Sequence, residues 1–225
     1  MDLSIKDVAN LLMLEKKEIE KLVKKKLIPS KIIQDKVRFN KQAIIEWALL
    51  NNKPLNLSDS SHFSEFRFDG LTSILDEESF YLNCSFTESD YVEEMVRMLR
   101  LKEDIDRNVI AELLISREKL MSTAIGNGIA LPHPRIPIIL GREKPLICFF
   151  FPEKPLNIES VDGEAVHTLI LLVSQTIKQH LFMLAHLSYL LSKEEFRKAL
   201  KNRIPTGEIL RLVSGLEMQR SKASN

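Results

Sequence analysis

Ser122 to Arg135 reads S-T-A-I-G-N-G-I-A-L-P-H-P-R, and the rest of the chain is organised around this stretch. Gly126 and Gly128 relieve backbone restriction, and the apolar run Ile129-Ala130-Leu131 then delivers one imidazole, His133, between Pro132 and Pro134. The prolines fix φ on either side, so the stretch presents a histidine in a set position, expected to be reachable at the surface. A neutral imidazole is a good nucleophile near neutral pH, and a hydrogen bond at one ring nitrogen fixes the tautomer that leaves the other nitrogen to react. Gly126 and Gly128 are expected to leave backbone N–H groups accessible. On residue types alone, an ordinary loop histidine beside a simple glycine turn is the alternative.

The 225 residues, 44% of them hydrophobic, can fill one large core or two small ones. Charge is uneven: Met1 to Lys53 carries 12 Lys+Arg against 7 Asp+Glu, or +5, and the remainder 20 against 24, or −4. A basic head on a mildly acidic body favours a polyanionic partner at the head. Cys84 and Cys148 sit far apart in apolar surroundings and read as buried free thiols of a reducing compartment. The first ten residues lack a cationic segment followed by an apolar one, and no apolar run approaches the roughly 20 residues that cross a bilayer. A cytoplasmic protein without membrane insertion is expected. There is no His-x-x-x-His, no Glu-rich cluster and no Cys pair at ligand spacing, so neither a metal nor a cofactor is expected.

In the head, Ser4 and Asp7 form the two halves of a capping box before Val8, Leu11 and Leu12. Glu15 to Lys26 predicts a second helix with Ile19, Leu22 and Val23 on one face, stopped by Pro29. Residues 31–33 and 37–39 predict a short hairpin, and Asn40 is placed to cap a third helix containing Trp47. The polar stretch from Lys53 to Ser64 reads as a linker, and His62 within it is assigned no role. Beyond it the pattern predicts a strand over 78–84 and helices over 85–101 and 104–121, then two fully apolar strands, 145–151 and 166–173. His167 begins the second of these and reads as structural. His180 to Leu191 predicts a helix with His180 at its N-terminal end, while His186, about 120° around it, reads as incidental. Two short helices are expected over 193–212, and Met218 to Asn225 reads as a frayed tail.

The run G-N-G-I-A-L-P-H, Gly126 to His133, resembles the active-site signature of the fructose/mannitol-type IIA domains of the bacterial phosphoenolpyruvate-dependent phosphotransferase system. The R-E pair Arg117-Glu118 before S-T-A-I-G-N-G, the D-G-E-A-V-H segment from Asp162 and the H-L-F-M-L-A-H-L-S segment from His180 resemble the same family, over about Leu71 to Leu212. The resemblance implies that His133 is the phosphoryl acceptor, that Arg117 orients the phosphate through its planar fork, and that His180 is the partner of His133. Ser122, Thr123, Gly126, Asn127 and Gly128 would form the phosphate loop. Pro134 departs from the smaller residues common in the family at that position.

Residues 1–52 resemble the excisionase/MerR-like DNA-binding domain, except that Lys26 stands where that family has a turn glycine. By that analogy Lys16, Lys17, Lys21, Lys24, Lys25 and Arg38 are the DNA contacts. Lysines supply phosphate attraction more readily than base discrimination. The expected architecture is therefore α/β: a small winged helix-turn-helix head (1–52), a linker (53–70), a IIA-type sheet with helices on both faces (71–212) and a C-terminal tail (213–225).

The function implied is a regulatory phosphocarrier loaded by an HPr-like phosphohistidine protein and coupled to DNA binding. Neither a IIB-like cysteine motif nor a membrane IIC segment follows in the chain, which tilts the reading toward regulation. The alternatives are a sugar-transport IIA component that passes phosphate to a separate IIB, and a DNA-binding regulator with a chemically silent body. A two-fold DNA site would suit a homodimer, but no heptad pattern demands one.

Overall fold

The structure is a computed structural model that describes residues 2–33, 36–51, 53–55, 70–103, 105–138, 140 and 144–223. The chain divides into two compact units, Met1–Arg67 and Phe68–Asn225. Most of the expected linker, with His62, lies outside the described residues.

The first unit opens with a short strand that the sequence reading left out, β1 (Asp2–Leu3); α1 (Ile5–Leu12), α2 (Lys16–Lys24), β2 (Lys31–Ile33), β3 (Lys36–Asn40) and α3 (Lys41–Leu50) then follow in the order read from the sequence. The Ser4–Asp7 box closes as expected, with the Ser4 hydroxyl oxygen accepting from the Asp7 amide and the Asp7 carboxylate from the Ser4 amide at 2.9 Å. Asn40 Oδ1 caps α3 by accepting from the Ala43 amide at 3.1 Å. β3 lies between β1 and β2, antiparallel to both. Val8, Leu12, Ile19, Phe39, Ile44 and Trp47 make the core, and the Trp47 indole donates to the Leu27 carbonyl at 2.6 Å. Lys26 has φ +55°, a left-handed conformation that an L side chain disfavours.

The second unit holds a five-stranded mixed sheet, in the order β4 (Phe80–Cys84), β7 (Leu146–Pro152), β8 (Thr168–Val173), β6 (Ile129–Ala130), β5 (Ala124–Gly126). β7 and β8 are antiparallel and buried at every position, as unbroken apolar runs require. Cys148, Phe150, Leu169 and Leu171 pack with α4 (Tyr91–Met98) and α5 (Arg107–Glu118). Alternation sends Phe149, Phe151, Ile170 and Leu172 to the opposite face, and α6 (Ile177–Ser192) packs against β8. Both α4 and α5 start later than their apolar patterns suggest. Asp90 Oδ1 takes the Thr87 amide in a turn before α4, and Asp106 caps α5 by accepting from the Asn108 amide.

The C-terminus departs most from expectation. α7 (Glu194–Lys201) is the short helix foreseen, but α8 runs Thr206–Ala223, so most of the expected tail is helical. Val213 and Leu216 are buried, and Glu217 is 9% exposed and hydrogen-bonded to two other segments. Those contacts hold what local sequence leaves free to fray. Among the described residues no helix is long and apolar enough to cross a membrane.

Candidate functional site

β5 and β6 form a hairpin, and β6 then lies parallel to β8. The chain runs on from β6 beside β8, with the Leu131 amide donating to the Thr123 carbonyl and the Leu172 amide to the Pro132 carbonyl, each at 3.0 Å. His133 is thereby carried to the C-terminal end of β8. Only three residues separate that end from α6, so His180, in the first turn of α6, arrives at the same place. The two imidazole centroids are 5.1 Å apart with the rings tilted by 39°. Thr176 caps the helix by accepting from the Gln179 amide at 3.1 Å, and the positive end of α6 is turned to this site.

His133 Nδ1 lies 2.7 Å from the Leu131 carbonyl oxygen. A carbonyl can only accept, so Nδ1 carries the proton, and in the neutral ring the nucleophilic lone pair is on Nε2. The ring is not at the surface as expected. Its exposure is 0%, and Leu131, Pro132 and Pro134 around it are buried as well.

Arg117 is half-buried on the last turn of α5 and donates to the Met121 carbonyl at 2.8 Å. Its neighbour Glu118, to which sequence reading gave no role, organises the next residues. One of its oxygens accepts from the Thr123 amide at 3.0 Å and the Ser122 hydroxyl at 3.2 Å, and the other from the Thr123 hydroxyl at 2.6 Å. Thr123 in turn carries the carbonyl that takes the Leu131 amide, so Glu118 braces the strand leading to His133. An acidic residue just before a Ser-Thr pair was the signal that could have found it.

Gly126, Asn127 and Gly128 fall elsewhere. They form the hairpin turn at the start of β6, roughly 16 Å along an extended chain from His133. The N–H of Asn127 is not open to a phosphate, because it donates to Asp162 Oδ2 at 2.6 Å. The same contact, with that to the Glu164 amide, holds the Asp162 carboxyl below its usual range, so an anion already occupies the turn. Gly128 has φ +66°, and a Cβ there would lie 2.4 Å from the His167 ring. His167 packs over this turn with Nδ1 2.8 Å from the Thr168 hydroxyl, the structural place foreseen for it. Burial, with Lys201 nearby, lowers its pKa. His186, read as incidental, is bonded to Glu217 at 2.9 Å.

In the first unit Lys16, Lys17, Lys21, Lys24 and Lys25 are exposed on and just after α2, and Arg38 is half-exposed on β3. Register pairs Lys31 with Arg38 and Ile33 with Lys36, so these four share one ribbon face, and Lys31 and Lys36 add two cations that the linear reading left out. Ile32, on the other face, is 77% exposed.

Residues 73–215 match the sequence profile described as "Phosphoenolpyruvate-dependent sugar phosphotransferase system, EIIA 2". The chain is 34% identical over 135 residues to the PTS system fructose-specific EIIABC component of Bacillus subtilis; the match takes in 58% of this chain and about a fifth (21%) of that protein's length. It is 35% identical over 109 residues to the Nitrogen regulatory protein of Pseudomonas aeruginosa, covering 48% of this chain and 68% of the relative. In fold it is similar to Nitrogen Regulatory Protein IIA-Ntr from Neisseria meningitidis, with a TM-score of 0.55 and 23% identity, over 64% of this chain and 98% of that one.

Proposed function

We propose that this chain, which belongs to the phosphoenolpyruvate-dependent sugar phosphotransferase system EIIA 2 family, is a cytoplasmic regulatory phosphocarrier with a DNA-binding head. The Nε2 lone pair of His133 attacks the phosphorus of a phosphohistidine on an HPr-like donor. The new N–P bond forms as the donor's N–P bond breaks, and that bond's electron pair stays on the donor imidazole. Positive charge grows on the His133 ring, and its Nδ1–H bond to the Leu131 carbonyl strengthens as it does. That bond is the observation on which the reading rests. His180 and the positive end of α6 meet charge on the phosphoryl oxygens, and Arg117 orients them from the end of α5.

Gly126, Asn127 and Gly128 have no part in holding phosphate in this account; they shape the hairpin that aims β6. Ser122 and Thr123 act as braces through Glu118. Incubation with phosphoenolpyruvate, enzyme I and HPr should place acid-labile, base-stable phosphate on the wild type and none on His133→Ala. A wild type left unlabelled refutes the proposal.

The head is read as a winged helix-turn-helix that binds DNA through the exposed lysines of α2 and the Lys31, Lys36 and Arg38 face of the ribbon. Lysine-dominated contact predicts an affinity that falls steeply with salt and discriminates weakly between sequences. Fluorescence anisotropy on duplex DNA at two salt concentrations, with Lys21→Ala and Lys24→Ala, tests this. Similarity to a fructose-specific component favours a second reading, in which His133 passes its phosphate to a separate IIB. Transfer to a IIB partner with no retention of DNA at low salt would select it.

A further inference from the structure

One carboxylate fastens three separate segments of the body, and nothing in the phosphoryl chemistry uses it. Glu217 Oε1 accepts from the Leu71 amide at 2.6 Å and from His186 Nδ1 at 2.9 Å. Its Oε2 accepts from the Thr72 amide at 3.0 Å and from the Thr72 hydroxyl. Gly70, at φ +111°, lies so close that a Cβ there would sit 2.4 Å from Oε2. The carboxylate is therefore seated in a socket that only glycine completes.

The three segments matter for where they lead. His186 stands on α6, six residues after His180, so about 9 Å of one rigid helix joins the clasp to the imidazole beside His133. Leu71 and Thr72 lie close to the start of the body, in a short helix three residues after its first residue, Phe68. Glu217 itself belongs to α8, the helix where a frayed tail was expected.

We propose that Glu217 is a coupling clasp that transmits a change at the His133–His180 pair through α6 to the connector leading to the head. Its trigger rests on the phosphocarrier reading above; the clasp itself does not. A phosphoryl group between the two rings displaces His180, and α6 carries that displacement to His186. The carboxylate has four donors and is only 9% exposed, so little solvent is at hand to replace one of them. It either follows His186 and releases the Leu71 and Thr72 amides or keeps them and pulls the connector with it. Both outcomes alter amide protection at 71–72.

The test is hydrogen exchange on the full chain, read at the Leu71 and Thr72 amides, in wild type and Glu217→Gln. In wild type, phosphorylation of His133, confirmed by intact mass, should change exchange at these amides about threefold or more. In Glu217→Gln they should exchange faster beforehand and respond no further, while the variant still takes phosphate. Unaltered exchange in the phosphorylated wild type, or an equal response in Glu217→Gln, overturns the proposal. A second arm needs no phosphate. His180→Ala should change exchange at 71–72 in the wild-type background and not alongside Glu217→Gln, and no change with His180→Ala alone overturns the clasp. If His133 takes no phosphate at all, the phosphocarrier reading fails and this second arm decides the clasp.

Discussion

Replacing Glu217 by glutamine should destabilise the body strongly at neutral pH and hardly at all in strong acid. Burial by itself would raise the pKa of this carboxyl. The hydrogen bonds from His186, from the Thr72 hydroxyl and from the Leu71 and Thr72 amides outweigh it and hold the group at about 2, against an ordinary 4.5. A folded-state pKa depressed by two to three units corresponds to an upper bound of about 3 kcal/mol at ~1.4 kcal/mol per unit. Glutamine keeps the shape and one acceptor, so the expected loss is about 2 kcal/mol. The sign follows from the depression: the contribution is fully present above pH 4.5 and is lost as pH falls toward 2. Urea unfolding followed by circular dichroism should therefore separate wild type from Glu217→Gln by about 2 kcal/mol at pH 7 and bring them together near pH 2. A difference that is absent at pH 7, or that persists undiminished into acid, would show that the carboxylate is not held ionised by these donors.

Three further outcomes follow from single residues. Lys26→Gly should stabilise the head by about 0.5–1 kcal/mol, because the left-handed φ of +55° costs a lysine more than glycine loses through its freer unfolded chain, and thermal unfolding read by Trp47 fluorescence would report it. Gly128→Ala should cost about 2 kcal/mol or more, since its Cβ meets the His167 ring and the backbone resists a side chain at φ +66°; a melting temperature equal to wild type would refute this. Burial pushes the Cys84 thiol up to about 11, so at pH 8 it should resist a thiol reagent until urea unfolds the body, and fast labelling of the folded protein would contradict the packing.

Local chemistry made much of this fold readable. The Ser4–Asp7 box, the Asn40 cap and the apolar runs of β7 and β8 carry their instructions within a few residues, and each appears where its pattern put it. His133 and His180 could be named as a pair through family signatures, but their 5.1 Å approach depends on β6 and α6 converging at one end of β8. What stayed hidden is long-range. Asp162 reaches Asn127 across 35 residues and turns an expected phosphate loop into a braced hairpin. Glu217 meets Leu71 across 146 residues and His186 across 31, and no local pattern marks that glutamate as an anchor. The burial of His133 is likewise a property of packing, which two prolines and two glycines do not disclose.

The most direct measurement is to phosphorylate the chain labelled with nitrogen-15 in its histidines and find which ring nitrogen couples to phosphorus. With Nδ1 of His133 holding its proton against the Leu131 carbonyl, the coupling should appear at Nε2 of His133 alone. Phosphate on Nδ1, or on any other histidine, would contradict the geometry on which the account stands.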